Sequence, residues 1–576
     1  MVPSSALPVL SSSAVPRHPR DTTRPVILIG FQNQGNLGIG YLASVLRRAG
    51  YDVLVFDFED DPRHILDATL SSSPLLVGFS LIFQFYIERF RDLIIALRTS
   101  GINCHFVMGG HFPSLSYRQT LELVPEVDSV ARFEGEATLL ELADCLSRGG
   151  DWRGIAGLAH RQAGEITCNA SRKLIEDLDT LPYPERDFEP MLALGHEIMP
   201  LLASRGCART CSFCSIQTFY RAAPGKIVRT RKPTCVVEEM ATLHKERGTT
   251  IFLFQDDDFP LFGAVWRRWA FEFIDELHRK GLVNRVIWKM NCRADSVDPD
   301  LFISLRDAGL YLVYMGLESG NEQGLKTLHK QISVPQNLRA VEILKNIGLD
   351  FEYGFMLFDP SSTFESVRAN LDFLRQIVGD GCTPVTFCRM LPYDGTPIKD
   401  ELERTGRLLG GVCDPDYRFL DPKLNEFYER LTEYINVTGW IHGFEGLSMQ
   451  LKWAWHEVAV LKHLFPPIGE LHAYQSRLTD ITRTSNLFLL RVVEALSWTV
   501  SDGIVKPYSA EEVEDSRVRF VDELLAERNA FVERNHSILL EGLPDHQRIK
   551  ARPVDEPERD SLTDGEASCR NHAQRR

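Results

Sequence analysis

The sequence predicts an α/β protein: a doubly wound parallel sheet, then a partial (β/α)6 barrel of TIM type, then a helical C-terminal domain. Three observations carry this. From Pro25, strand-length apolar runs alternate with helix-period segments. Six further strand–helix units follow from about residue 196, the pattern of a partial barrel. After about Ile398 strand runs stop and helix periodicity takes over. The expected boundaries are 25–153 for the first unit, 154–195 for a connector, 196–400 for the barrel and 401–543 for the helical domain. Residues 1–24, rich in Pro and Ser, are predicted disordered, and 544–576 form a polar tail.

In the first unit, Val26–Phe31 (VILIGF) reads as a buried strand, followed by the loop QNQGNLGIG and a helix ending at Gly50. Asp52–Phe58, Leu75–Ser80 and Cys104–Met108 are the next strands, with a helix at Tyr86–Thr99 among the intervening segments. Ligands on such sheets sit at the strand carboxyl ends, which here carry Gln32, Asn33, Gly35, Ser80, Gly109 and Gly110. The connector holds the polar stretch RQAGEITCNASRK and the proline-punctuated LDTLPYPERDFEP. Barrel strands are expected at Met199–Ser204, Thr250–Phe254, Val286–Asn291, Tyr311–Gly316, Phe351–Phe358 and Val385–Met390. Helices are expected at Cys235–Arg247, Trp266–Lys280, Leu447–Leu464 and Ser485–Val500.

A formal net charge of -15 argues against a nucleic-acid binder, which would carry a basic footprint. The most apolar window, Leu487–Val500, is too short to span a bilayer and carries Arg491 and Glu494. The N-terminal stretch lacks a charged n-region and a continuous apolar h-region, so a cytoplasmic protein is expected. Twelve cysteines point to a reducing compartment and thiol chemistry rather than a disulfide framework. Nine are scattered; three are not.

Those three stand in SRGCARTCSFCSI, where Cys207, Cys211 and Cys214 form C-x3-C-x2-C. Three thiolates on a short loop can hold three irons of a [4Fe–4S] cluster and leave the fourth open to a chelating substrate. The spacing is not that of a zinc finger, and no second Cys/His pair follows at the required distance.

With Phe213 as the aromatic before the third cysteine, the motif resembles the radical S-adenosylmethionine (SAM) superfamily. The resemblance continues in register through FLFQDDDF, NCRADS, MGLESGNEQGLKTLHK, GFMLFDPSST and LPYDGTPI, covering roughly residues 198–400. It implies SAM contacts from Phe213, Asp256, Asp257, Arg293, Glu318 and Ser319. The first unit resembles Rossmann-like cobalamin-binding domains: Ser80–Leu81–Ile82 is similar to S-x-L, and Gly109–Gly110 to the pair beside the nucleotide tail. The D-x-H-x-x-G loop of cobalt-ligating relatives is replaced by QNQGNLG, without Asp or His. That absence, with RFEGEAT and LPYP, resembles the cobalamin-binding radical SAM subfamily and implies base-off cobalamin.

The resemblance implies a class B methyltransferase, cobalamin-dependent, consuming two SAM molecules. One would methylate cobalamin; the other would yield the 5′-deoxyadenosyl radical that activates a carbon of a small, specialised-metabolite substrate. A flavodoxin- or ferredoxin-type electron donor is implied, and neither nucleic acid nor a membrane span. The rival outcome with the same cofactors is cyclisation, ring rearrangement or oxidation without methyl transfer. A transfer-RNA methylthiotransferase would need a second cysteine triad, and Cys104, Cys145 and Cys168 are too dispersed to supply one.

Overall fold

The computed structural model describes residues 21–543 apart from 33–34, 260, 262, 438, 442 and 444. Asn33, most of the predicted disordered N-terminus and the polar tail lie outside the described residues.

The first sheet takes β1 (Val26–Gly30), β2 (Val53–Asp57), β3 (Leu76–Ser80), β4 (His105–Gly109), β5 (Ser129–Ala131), β6 (Leu158–Gln162) and β7 (Glu165–Cys168) in the order β2-β1-β3-β4-β5-β6-β7. β1 explains why it is doubly wound. Ile27 and Ile29 enter one hydrophobic cluster and Val26 and Leu28 another, so both faces are buried under helices. β1 to β5 are parallel, but β6 and β7 are antiparallel. The predicted connector therefore begins as a hairpin that completes this sheet. Its turn, Ala163–Gly164, has both residues at positive φ (51° and 86°), a hairpin geometry that an Ala-Gly pair does not announce as Asn-Gly would.

The second sheet contains β8 (Met191–Ala193) and β9 (His196–Leu201). A small antiparallel ribbon, β10 (Ser204–Arg205) with β11 (Arg229–Thr230), follows. The barrel sheet continues with β12 (Ile251–Phe254), β13 (Ile287–Arg293), β14 (Leu310–Glu318), β15 (Asp350–Phe358) and β16 (Cys388–Arg389), in the order β16-β15-β14-β13-β12-β9-β8. All neighbours are parallel except β8, an antiparallel edge. The sixth parallel strand is far shorter than predicted. The N–H of Val385 is taken by Asn486 Oδ1 (2.8 Å) and that of Thr386 by the Tyr353 hydroxyl (3.2 Å), leaving less backbone for the ladder. The first parallel strand also ends early, because Ala203 and Ser204 turn to bond Asp256.

Strand structure does not stop at Ile398: β17 (Leu408–Leu409) pairs with β18 (Asp416–Tyr417). The remainder is helical: Pro422–Val437, Leu447–Leu464, Leu471–Asp502 and Ala510–Arg534. The predicted Ser485–Val500 is the second half of a 32-residue helix. Among the described residues no helix is long and apolar enough to cross a membrane.

Candidate functional site

The carboxyl ends of strands from both sheets open into one cavity of about 680 Å³. Gly35, Ser80, Gly109 and Gly110 line it from the first domain; Ser204, Arg205, Gln255 and Asp257 line it from the barrel. Buried ion pairs hold the two halves together. Glu134 accepts from Arg229 (2.8 Å) and pairs with Arg205 (3.3 Å), whose other nitrogen reaches Glu136 (2.7 Å). These carboxylates belong to RFEGEAT, so that motif is an interdomain lock at the cavity wall.

The Gly-Gly pair has a steric cause. Gly110 sits at φ +112°, and a Cβ there would lie 2.1 Å from the Leu81 carbonyl oxygen. The loop after β3 thus crosses the end of β4 at a distance only glycine permits. Below it the cavity runs past Gly78, Leu28 and Ile39 into the domain. A shaft of this kind, apolar and open at its glycines, fits the tail of a large planar cofactor. Gln32 is not among the cavity-lining residues; it is buried, and its side-chain nitrogen has no hydrogen-bond partner among the described residues.

Cys207, Cys211 and Cys214 lie on the loop between β10 and the helix Ser215–Ala222, with Cys214 as its N-cap. Burial pushes the free thiols of Cys207 and Cys214 up to about 12 and about 11, so ionised thiolate there depends on bound iron. Among the described residues no three His, Cys, Asp or Glu side chains converge on a single ion. Three soft thiol donors spread along a loop suit a multi-iron cluster instead.

The three aspartates after β12 divide the work. Asp256, 1% exposed, accepts from the Ala203 N–H (3.1 Å) and the Ser204 hydroxyl (2.5 Å), fixing the turn that leads to the cysteines. Asp257 faces the cavity and accepts from the Gly206 N–H at 2.9 Å. Asp258 has one oxygen 3.9 Å from Cys207 Sγ and the other buried without a hydrogen-bond partner among the described residues. Enclosure by protein pushes their carboxyls up, to about 7 for Asp256 and about 6 for the other two.

Glu318 adopts a left-handed backbone (φ +63°) at an irregularity in the β14–β15 register, a strain kept where a side chain must be aimed. It accepts from Lys330 Nζ at 2.9 Å, both groups being buried. Lys330 is flanked by two more left-handed residues, His329 and Gln331. Its carbonyl accepts from Arg293 Nη2 (2.6 Å), while Arg293 Nη1 lies 3.8 Å from Cys211 Sγ. The structure thereby joins Glu318 and Arg293 behind Cys211 through a lysine that sequence reasoning did not single out. Asp295, ion-paired with Arg293 (3.0 Å) and Arg209 (3.1 Å), was also missed. Both stand in the quoted stretches NCRADS and LHK, but only chain folding brings them to the cysteine loop. Ser319 is fully buried and bonded to Asn370 and Asn321. Phe213 packs half-buried against the barrel core.

Comparison with known proteins agrees with this geometry. Residues 31–143 match the B12 binding domain and residues 201–374 the radical SAM superfamily. An uncharacterized methyltransferase of Pyrococcus horikoshii is 30% identical over 403 residues, 68% of this chain and 83% of that protein. The chain belongs to the cobalamin-binding radical SAM enzymes. Its cofactors are a [4Fe–4S] cluster, SAM and cobalamin. An anaerobic magnesium-protoporphyrin IX monomethyl ester cyclase of Rubrivivax gelatinosus is 28% identical, covering 67% of this chain and 68% of the cyclase. Among solved structures, the cobalamin-dependent radical SAM enzyme OxsB with aqua-cobalamin bound shares the fold. Its TM-score is 0.64 at 18% identity, covering 90% of this chain and 84% of that one.

Proposed function

We propose that this radical SAM enzyme is a methyltransferase that methylates an unactivated carbon of a small, specialised-metabolite substrate. The observation that carries the reading is the single cavity shared by the strand ends of both domains, with Asp257 on one wall and Ser80 and Gly109 on the other. A methyl carrier and a radical source must face one substrate, and one shared space allows it. The Pyrococcus relative supports the same reading.

When bound, the cofactors supply a reversible methyl carrier and a hydrogen-abstracting radical; the protein supplies placement. Cys207, Cys211 and Cys214 would hold the cluster. Lys330 fixes the Glu318 carboxylate, which would meet SAM, and Arg293 braces the Lys330 backbone against the cysteine loop. Asp257 would meet the SAM side of the cavity. Gly35, Ser80, Gly109 and Gly110 would let cobalamin approach the backbone. The interdomain ion pairs at Glu134 fix one wall of the cavity and so hold the strand ends of the two domains at a set separation. Electrons would enter from a flavodoxin- or ferredoxin-type donor near exposed Ala208 and His329, where the cysteine loop nears the surface.

The test is anaerobic reconstitution with iron, sulfide and cobalamin, then incubation with methyl-labelled SAM and reductant. Labelled methyl on the cobalamin, with both S-adenosylhomocysteine and 5′-deoxyadenosine released, is the expected result. Release of 5′-deoxyadenosine without methyl transfer, from protein that holds cobalamin, would favour the cyclase-type outcome of the Rubrivivax relative.

A further inference from the structure

Beneath the proposed reaction space, the concave face of the half-barrel continues downward and becomes charged. Burial alternates along β13, β14 and β15: Met290, Val313 and Phe351 on the convex side are buried, while Lys289, Tyr314 and Glu352 on the concave side keep some exposed surface. Side chains on that face therefore border space rather than a packed core. The helix Leu447–Leu464 closes the lower end. It runs beneath the N-terminal ends of the strands, from Ser448, whose hydroxyl donates to the Val385 carbonyl (2.9 Å), to Phe465 beside the His196 ring (5.3 Å).

Where this helix crosses the lumen it presents Lys452 and His456. Lys289 and Glu352 form an ion pair across the strands at 2.8 Å, with Lys452 and His456 in electrostatic reach of Glu352. Tyr311, at a bulge of β14, brings its hydroxyl to 3.3 Å from His456 Nδ1. Burial pushes the His456 imidazole down to about 4, so it is neutral. Two ammonium groups then face one carboxylate, and Lys452 has no hydrogen bond or ion pair among the described residues. His456 Nε2 is buried and also without a partner. The Tyr311 hydroxyl can donate to Nδ1; in that tautomer Nε2 carries the proton and has no acceptor among the described residues. A surplus cation and an idle donor in a partly desolvated site are costly unless an anion completes them.

We propose that this floor anchors an acidic group of the substrate, carboxylate or phosphate, with Lys452 as its ion-pair partner and His456 Nε2 as its hydrogen-bond donor. The inference rests on the enzymatic reading above only for what happens at the other end of the lumen. From Glu352 to Met356, near the strand carboxyl ends, four residues of extended chain span about 13 Å. The substrate is then an elongated acid whose reacting carbon lies on the order of 13 Å from its anionic end. Glu352 offsets one of the two ammonium groups, leaving one for the ligand.

Calorimetric titration of the reconstituted holoenzyme with inorganic phosphate and with acetate tests this without turnover. Saturable binding of at least one probe is expected, weakened at least about tenfold in Lys452→Met. Glu352→Gln removes the competing carboxylate and should tighten the same probe by about tenfold. The relative affinities of the two probes tell phosphate from carboxylate. Unchanged binding in Lys452→Met, weaker binding in Glu352→Gln, or no saturable binding by the wild type would overturn the proposal. Should Lys452→Met fail to fold, Glu352→Gln decides alone. Failure of methyl transfer in the labelled-SAM experiment would leave these binding results untouched, so the two readings fail separately.

Discussion

At the scale of single residues, neighbouring side chains of one type do different work. Cys211 is a buried thiol beside Arg293, and Cys211→Ala should remove a cluster ligand while leaving the barrel folded. Its iron content and visible cluster absorption should fall sharply and SAM cleavage should be lost, whereas cobalamin still binds; retained cleavage would contradict the assignment. Glu318 and Lys330 form a coupled buried pair, so Glu318→Gln strands an ammonium group. We expect a loss of about 3–5 kcal/mol in urea denaturation. Adding Lys330→Met should recover much of that stability, yet SAM binding should stay weak in the double variant. Recovery of both would make the pair structural only.

At the scale of elements, backbone geometry decides. The end of β4 tolerates only glycine at Gly110, so Gly110→Ala must displace the Leu81 loop from the cavity wall. It should lose about 1–3 kcal/mol of stability. It should also retain little cobalamin through gel filtration, and full retention would show that the loop does not shape the site. The start of β4 sets an acid limit on the first domain. His105 is wedged 4.5 Å from the Trp152 ring and bonded to Ser129 (2.8 Å), and burial pushes it from 6.5 down to about 4. The unfolded chain takes up that proton near pH 6.5 and the folded chain does not. Its stabilising contribution is therefore complete above 6.5 and declines as pH falls toward 4. His105→Gln should flatten the fall in melting temperature over that window.

At the scale of the whole molecule, one buried side chain ties the cobalamin side to the cluster side. Gln84, 2% exposed, follows the Ser80–Ile82 loop. Its amide donates to the Val412 carbonyl (2.7 Å) and accepts from the Asp394 N–H (2.8 Å). A few residues on, the Ile398 N–H donates to the carbonyl of Ser212, inside the cysteine loop. Gln84→Leu should keep both cofactors but release the Asp394 amide to hydrogen exchange, by about tenfold or more. Less S-adenosylhomocysteine per 5′-deoxyadenosine should accompany it. Unchanged exchange would mean that the aromatic contacts of Phe83 and Phe85 with Tyr393 hold this part of the interface without Gln84.

The sequence by itself determined the strand–helix rhythm, the two sheets and the cysteine loop, because apolar periodicity and close motif spacing are local quantities. It placed Ser80, Gly109, Gly110 and Asp257 at strand ends, and these line the shared cavity. It did not separate Asp256, spent on Ala203 and Ser204, from Asp257, nor find Lys330, Gln84 or the Lys452–His456 floor. The hairpin at Ala163–Gly164 and the shortened sixth barrel strand were equally hidden, since a turn without Asn-Gly and backbone groups captured by Asn486 and Tyr353 leave no local trace. Apart from the hairpin, those features depend on partners tens to hundreds of residues away. Only the closed tertiary structure chooses among them, because a buried charge or amide takes its role from whatever polar group folding brings within reach.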